Sequence, residues 1–223
     1  MREQVISEII REKLILIIRG YSGKTLLNIL EAAFSAGVRL AEITFNAQGD
    51  PSDEATAAEI ASAVTAFRGR MHIGAGTVLR PDQVELTYKA GGEFIISPDT
   101  DEKVIGKTLE LGLVSVPGAF TPTEVSVASK AGADFVKLFP AGRLGPGYLK
   151  DISAPLSHIN FLAVGGINAG NVSEYVSAGA CGFGVGGSIL DKKLIAAGDF
   201  DTLTENIARL VTSVHAAYSP EIL

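Results

Sequence analysis

Two kinds of apolar pattern alternate along the chain. Short runs rich in β-branched and large apolar residues are typical of strands, whereas apolar residues at helical spacing are typical of helices. The eight predicted strands are Leu14–Ile18, Leu40–Phe45, Met71–Ile73, Glu93–Ile96, Leu113–Val116, Phe135–Phe139, Phe161–Val164 and Gly182–Val185. The predicted helices cover residues 25–36, 53–67, 81–90, 101–111, 122–131, 147–156 and 171–178, with terminal helices at about 2–12 and about 200–217.

The alternation of strands with helices predicts the fold class. Successive strands joined by helices form a parallel sheet. Eight such units in 223 residues favour an α/β fold, a single-domain (β/α)8 TIM barrel, with an open doubly wound sheet as the chief alternative. No Pro- or Ser-rich linker divides the chain, so residues 1–223 are expected to form one domain.

Composition and charge narrow the class of protein. The chain is 47% hydrophobic and 20% charged, which excludes a wholly disordered protein. Its 19 Lys and Arg against 25 Asp and Glu give a net charge of −6, which argues against a nucleic-acid partner. No apolar run approaches the roughly 18 residues that span a bilayer, and the N-terminal residues are too charged for a signal peptide. With Cys181 as the one cysteine, we expect a cytoplasmic protein with no membrane partner.

Polar residues and glycines collect where the predicted strands end. In a TIM barrel the catalytic groups lie at the carboxyl ends of the strands. The residues at these ends are Arg19, Glu42, Thr44, Gly74–Thr77, Ser97–Pro98, Pro117–Gly118, Lys137, Gly165–Gly166 and Gly186–Ser188. We interpret Gly74-Ala75-Gly76 as a turn that presents Thr77 to a pocket, because it lacks the third glycine of a dinucleotide-binding motif.

Lys137 is the most unusual of these residues, because it lies in an otherwise apolar strand. Alternate residues of a strand share a face, so Lys137 points the same way as Phe135 and Phe139. Burial lowers the pKa of an ammonium group, and a partly neutral amine attacks carbonyl carbon to form a Schiff base. A structural ion pair with a carboxylate is an equally acceptable interpretation. Glu42 is either a general acid/base beside this lysine or only a neutralising partner for Lys137 or Arg19.

Two glycine pairs at the last two strands predict a phosphate site. TIM barrels often bind phosphate with the loops after these strands and the N-terminus of a following helix. Gly165-Gly166 and Gly186-Gly187 let backbone N–H groups approach an anion, and Ser188 adds a hydroxyl. No spacing of histidine or cysteine predicts a metal site.

Several motifs, in this order and spacing, resemble the class I aldolases of the 2-keto-3-deoxy-6-phosphogluconate/4-hydroxy-2-oxoglutarate family. The resemblance runs from about Lys13 to Asp191 and covers most of the chain. The matching segments are Ile18–Gly20, Ala41–Thr44, Ile73–Leu79, Phe94–Pro98, Pro117–Gly118, Thr121–Glu124, Val136–Pro140, Gly165–Asn168 and Gly184–Ser188.

The resemblance implies an activity and a role for each candidate residue. Members of the family are expected to be homotrimers that cleave 2-keto-3-deoxy-6-phospho sugar acids to pyruvate and glyceraldehyde 3-phosphate, in carbohydrate metabolism of the Entner–Doudoroff type. It implies no metal and no cofactor, because the keto-acid phosphate forms an imine with a lysine. By this resemblance Lys137 forms the Schiff base and Glu42 is the general acid/base. The implied substrate-binding residues are Arg19, Thr77, Pro98, Phe139, Val164, Gly165, Gly166, Gly187 and Ser188.

Two positions depart from the commonest pattern of the family. Asn46 stands where many members have an arginine that binds the keto-acid carboxylate, and Val164 stands where many have threonine. Both residues, with residues 144–148, are more similar to the branch that cleaves the 6-phosphogalactonate compound, so the sugar epimer stays open. The alternatives are another phosphate-binding barrel, such as an isomerase or synthase, and a sugar-phosphate binder without catalysis.

Overall fold

The strands and helices follow one another regularly in the computed structural model, which describes residues 2–219. The predicted domain of residues 1–223 therefore has Met1 and residues 220–223 outside the described residues. The strands are β1 (Leu14–Ile18), β2 (Leu40–Thr44), β3 (His72–Gly76), β4 (Phe94–Ile96), β5 (Val114–Val116), β6 (Gly118–Ala119), β7 (Val136–Leu138), β8 (Phe161–Val164) and β9 (Ala180–Val185). The helices are α1 (Arg2–Glu12), α2 (Gly23–Ser35), α3 (Asp53–Ala66), α4 (Pro81–Lys89), α5 (Glu102–Glu110), α6 (Pro122–Lys130), α7 (Ala141–Ser153), α8 (Val172–Ser177), α9 (Lys192–Ala197) and α10 (Phe200–Ala217).

All the strand pairs are parallel, and they close into a ring. The order around the sheet is β5-β4-β3-β2-β1-β9-β8-β7-β6. The segments β5 and β6 are two pieces of one strand, separated only by Pro117, which has no N–H for the ladder. The first piece pairs with β4 and the second with β7, and the Pro117 carbonyl still accepts a hydrogen bond of 2.9 Å from Lys137 N. The predicted (β/α)8 barrel is therefore confirmed, and the open doubly wound sheet is wrong.

The predicted turn at Gly74-Ala75-Gly76 is wrong, because these residues lie inside β3. Glycine is a turn signal when the backbone needs a special conformation, but here it supplies space. A side chain at Gly74 would overlap the Phe94 ring, and one at Gly76 would overlap the Glu42 carboxylate. The two glycines therefore let β3 run close to its neighbours while the interior of the barrel stays open.

Two helices also differ from the sequence pattern. Helix α7 begins at Ala141 rather than near residue 147, and it contains a kink at Gly145, where φ is 81°. Helix α9 was not predicted, because its six residues are too few to show helical periodicity.

The apolar core has two layers. One layer lies between the strands and the surrounding helices, and the other fills the inside of the barrel. The inner layer contains Phe94, Phe135 and Leu162, and it also includes Val5 and Ile9 of α1. Helix α1 therefore closes the amino-terminal end of the barrel, which leaves the carboxyl-terminal end as the open mouth.

We expect Ile9→Ala to lower the free energy of unfolding by about 2–5 kcal/mol, because it leaves a cavity in the inner layer. Ile9 is 1% exposed, whereas the adjacent Ile10 is 42% exposed and gives a matched control. Ile10→Ala should change the free energy of unfolding by less than about 1 kcal/mol. Urea denaturation followed by circular dichroism measures both, and equal losses for the two variants would contradict the closing role of α1.

Candidate functional site

A cavity of about 1150 Å³ opens at the carboxyl-terminal end of the barrel. All eleven of the predicted site residues line it, although they come from seven different strands or strand ends. They are Arg19, Glu42, Thr77, Pro98, Lys137, Phe139, Val164, Gly165, Gly166, Gly187 and Ser188. The closed ring explains this convergence, because the carboxyl ends of all parallel strands meet at one mouth.

Glu42 and Lys137 face each other across the interior of the barrel. Their strands, β2 and β7, lie four positions apart when β5 and β6 are counted as one of eight strands in the ring. Glu42 is 1% exposed and Lys137 is 6% exposed. Among residues 2–219, Lys137 has no carboxylate within 4.0 Å. The two charges are thus buried near one another without the direct ion pair that a purely structural role would favour.

Burial lowers the pKa of the Lys137 amine. The Glu42 carboxylate opposes this effect by raising the pKa, and the nearby Arg19 guanidinium lowers it further. The Nζ atom lies 4.8 Å from the centre of the Phe139 ring, which contributes an apolar wall with a favourable face for a cation. A lowered pKa leaves a larger share of the amine unprotonated and nucleophilic at neutral pH.

Burial raises the pKa of Glu42 from 4.5 to about 6, and the positive charges of Lys137 and Arg19 reduce that rise. Its Oε2 is buried and has no hydrogen-bond partner within the described part of the chain. A carboxyl group with a pKa of about 6 can both accept and release a proton near neutral pH. The absence of a side chain at Gly76 gives this carboxylate its space.

Arg19 and Thr77 form a polar pair at one side of the cavity. The Arg19 Nη2 donates a hydrogen bond of 3.2 Å to Thr77 Oγ1. Thr77 directly follows β3 and has a φ of 56°, which is strained for a β-branched residue. This left-handed conformation, rather than a glycine turn, presents the hydroxyl to the cavity, and sequence patterns carry no signal for it.

Four backbone N–H groups that follow β8 and β9 are available to bind an anion. No hydrogen bond within residues 2–219 uses the N–H of Gly165, Gly166, Gly187 or Ser188 as its donor. The φ angles of Gly165 and Gly166, 90° and 79°, require glycine in this loop. The Ser188 hydroxyl donates a hydrogen bond of 2.8 Å to the Ile167 carbonyl, so its oxygen lone pairs can still accept hydrogen bonds.

The following helix is less available to an anion than the sequence suggests. Helix α9 starts at Lys192, and the Asp191 side chain caps its first turn by accepting a hydrogen bond of 2.7 Å from Lys193 N. The glycine loops therefore offer the free backbone donors at this end of the cavity.

The two positions that depart from the family pattern lie in different places. Val164 lines the cavity from the inner face of β8, in register with Gly184 of β9. Asn46 does not line the cavity but lies in the β2–α3 loop, beside a second cavity of about 600 Å³. Its Oδ1 accepts a hydrogen bond of 3.0 Å from Gln48 N, and its Nδ2 donates to the Asp50 carbonyl. Asn46 thus orders its own loop.

Other residues that line the main cavity were missed by the sequence analysis. They include Tyr21, Thr25, Lys192, Ile195 and Ala196. The last three belong to α9, whose short pattern was not recognised. Lys192 lies in the charged sequence Asp191-Lys192-Lys193, which is typical of an ordinary solvated surface.

Two further findings concern metals and membranes. Within the part of the chain that the structure describes, no group of three or more His, Cys, Asp or Glu is arranged to hold a metal ion. None of the helices in the same residues combines the length and apolar character needed to cross a bilayer.

We expect Glu42→Gln to change stability in a pH-dependent manner. Because the pKa of Glu42 is higher in the folded protein than its ordinary 4.5, its contribution to stability is present below pH 4.5 and is lost as the pH rises through about 6. Relative to the parent protein, the glutamine variant should gain about 2 kcal/mol in the free energy of unfolding between pH 4.5 and pH 8. Urea denaturation at both pH values measures this gain, and a difference that does not vary with pH would contradict the raised pKa.

Comparison with known proteins identifies the family. The family model described as "Aldolase: KDPG and KHG aldolase" matches residues 5–206. The 2-dehydro-3-deoxy-6-phosphogalactonate aldolase of Escherichia coli is 36% identical over 177 residues, which are 79% of this chain and 83% of that protein.

Two solved structures are similar in both sequence and fold. One, described as "Native KDPGal structure", is 33% identical with a TM-score of 0.81 and covers 92% of this chain and 95% of its own. The KDPG aldolase of Legionella pneumophila, solved with pyruvate captured as a covalent carbinolamine, is 25% identical with a TM-score of 0.82. These alignments cover 92% of this chain and 97% of the Legionella chain. The protein therefore belongs to the KDPG and KHG aldolase family and is a lyase of the aldolase type.

Proposed function

We propose that this protein cleaves 2-keto-3-deoxy-6-phospho sugar acids, of the phosphogluconate or phosphogalactonate type, to pyruvate and glyceraldehyde 3-phosphate through a Schiff base on Lys137. The observation that carries the proposal is a buried amine of lowered pKa that faces a buried carboxyl group of raised pKa in one cavity. Family membership and the names of the relatives support this reaction and this class of substrate.

The reaction begins at the C2 carbonyl of the substrate. The neutral Lys137 amine adds to C2, and loss of water from the carbinolamine gives an iminium ion. Glu42, through a water molecule, takes the proton of the C4 hydroxyl as the C3–C4 bond breaks. The bonding electrons move into the iminium to form an enamine, and the C4 fragment leaves as the aldehyde. Protonation of the enamine at C3 and hydrolysis of the imine then release pyruvate and restore Lys137.

Two sets of binding groups in the cavity hold the two charged ends of the substrate. Arg19 and Thr77 bind the carboxylate at C1, because their hydrogen bond holds a guanidinium group and a hydroxyl group side by side. The free N–H groups of Gly165, Gly166, Gly187 and Ser188 bind the distal phosphate. The remaining predicted residues, Pro98, Phe139 and Val164, line the same cavity.

The iminium supplies the electron sink, so we propose that the reaction uses neither a metal nor a cofactor. Assays that keep full activity after dialysis against EDTA would support this. We also propose a homotrimer in the cytoplasm, by resemblance to the family. Sedimentation equilibrium tests the trimer, and cell fractionation tests the location.

Two other functions are less well supported. Another phosphate-binding barrel, such as an isomerase or synthase, would use the same glycine loops but would form no imine with pyruvate. A binder without catalysis would bind the sugar phosphate and release no pyruvate. Release of pyruvate from either phosphorylated epimer separates the proposed function from both.

Borohydride reduction in the presence of pyruvate should attach a covalent adduct to Lys137, because reduction fixes the imine. Mass mapping of peptides locates the adduct, and Lys137→Met should abolish it. Glu42→Gln should keep the adduct while turnover falls by about 100-fold or more, since it lacks the acid/base. Lys150→Met, at an exposed position of α7 that does not line the cavity, is the control and should leave adduct and turnover unchanged. An adduct on another lysine would overturn the assignment of Lys137.

Val164→Thr should change the preference between the two phosphorylated epimers, because the substitution replaces a methyl group on the cavity wall with a hydroxyl. We expect the parent protein to prefer the phosphogalactonate compound and the variant to shift toward the phosphogluconate compound by about tenfold in the ratio of kcat/KM. Pyruvate release from both epimers measures the ratio. An unchanged ratio would exclude position 164 as the determinant of epimer preference.

A further inference from the structure

Lys192 lines the cavity, is exposed to solvent and has no part in the proposed mechanism. It is the first residue of α9 and lines the cavity together with Ile195 and Ala196, three and four residues later. Residues at this spacing share one face of a helix. The face of α9 that bears Lys192 is therefore turned toward the cavity. The adjacent Lys193 is not among the lining residues.

The charges that line the cavity make it locally positive. Among residues 2–219, the basic residues that line it are Arg19, Lys137 and Lys192, and the one acidic residue is Glu42. The balance is positive whether the Lys137 amine is protonated or neutral, in a protein whose net charge is −6. A concave site with this excess of positive charge attracts an anionic ligand. The substrate class proposed above is anionic at both ends.

The other two cations of the cavity are already engaged. Arg19 is hydrogen-bonded to Thr77 at the proposed carboxylate end, and Lys137 becomes part of the imine. Within residues 2–219, Lys192 has no carboxylate within 4.0 Å. Its charge is therefore available to a ligand in the cavity.

Lys192 is held close to the glycine loop by a short, well-connected turn. The N–H groups of Ile189 and Leu190 both donate to the Gly186 carbonyl, each at 3.0 Å. The two side chains are buried, and the Asp191 cap then fixes the first turn of α9. This connection ties the position of Lys192 to the free N–H groups of Gly187 and Ser188.

We propose that Lys192 binds the distal phosphate and sets the preference of the enzyme for phosphorylated over unphosphorylated keto acids. The inference rests on the proposed function and deepens it, since it identifies the side-chain cation of the phosphate end. Backbone N–H groups recognise an oxyanion by their dipoles, whereas the ammonium group adds a full positive charge. Because the phosphate lies far from the C3–C4 bond, Lys192 stabilises the substrate and the transition state alike.

Lys192→Ala therefore tests the proposal through KM. For the phosphorylated substrate, KM should rise about 10-fold to 100-fold while kcat stays within about twofold. For the unphosphorylated sugar acid of the same epimer, kcat/KM should change less than about twofold. Inorganic phosphate, used as a competitive inhibitor, should lose affinity in the same variant. Lys192→Arg should keep most of the preference for the phosphorylated substrate.

Lys193→Ala is the matched control, because Lys193 is also exposed and adjacent but does not line the cavity. It should leave KM for both substrates unchanged. Equal effects of Lys192→Ala on both substrates, or no effect on either, would overturn the proposal. Borohydride trapping of pyruvate, which has no phosphate, tests the proposed function separately from the role of Lys192. If the parent protein traps no pyruvate, the proposed function is rejected. If it traps pyruvate but Lys192→Ala leaves the preference for the phosphorylated substrate unchanged, only the role of Lys192 is rejected.

Discussion

The burial of two opposite charges inside a closed barrel is the constraint on which the rest of the structure depends. Charged groups inside a protein are costly unless they are paired, and Lys137 and Glu42 are kept without a direct pair. The apolar layers below them must provide the stability that this arrangement gives up. The inner cluster provides it by filling the interior of the barrel, and helix α1 provides it by closing the amino-terminal end. The interior of the barrel is therefore apolar below the two charged groups, and the cavity at its carboxyl-terminal end is polar.

Glycines on two strands give that mouth its volume. A side chain at Gly76 would overlap Glu42, and one at Gly184 would lie within 2.8 Å of Val164. Larger residues at these positions would fill the space where the substrate of the proposed reaction must lie. The high glycine content of the chain therefore has two structural causes. Some glycines adopt positive φ in loops, and others leave space inside the barrel.

The sequence predicts the fold well, because alternating strands and helices repeat with clear apolar periods, and eight such units leave few arrangements. The sequence also predicts which residues line the cavity, because the parallel strands of a barrel bring their carboxyl ends together. The conformation of Thr77 and the short helix α9 escape prediction, since neither leaves a periodic pattern. The interpretation of Gly74-Ala75-Gly76 failed because a glycine that supplies space looks the same in a sequence as one that turns the chain. The loop role of Asn46 depends on hydrogen bonds that only the structure reveals.

The closure of one end of the barrel by α1 also dictates the order of events in the proposed reaction. Substrate, water and products all pass through the carboxyl-terminal opening of the barrel, because Val5 and Ile9 close the amino-terminal end. In the proposed reaction pyruvate stays attached to Lys137, which is buried, whereas the aldehyde phosphate is held by the more exposed glycine loops. The aldehyde therefore departs first, and water reaches the imine along the path that it vacates. In the direction of synthesis the sequence reverses, so that pyruvate enters before the aldehyde as the first partner of a compulsory-order reaction.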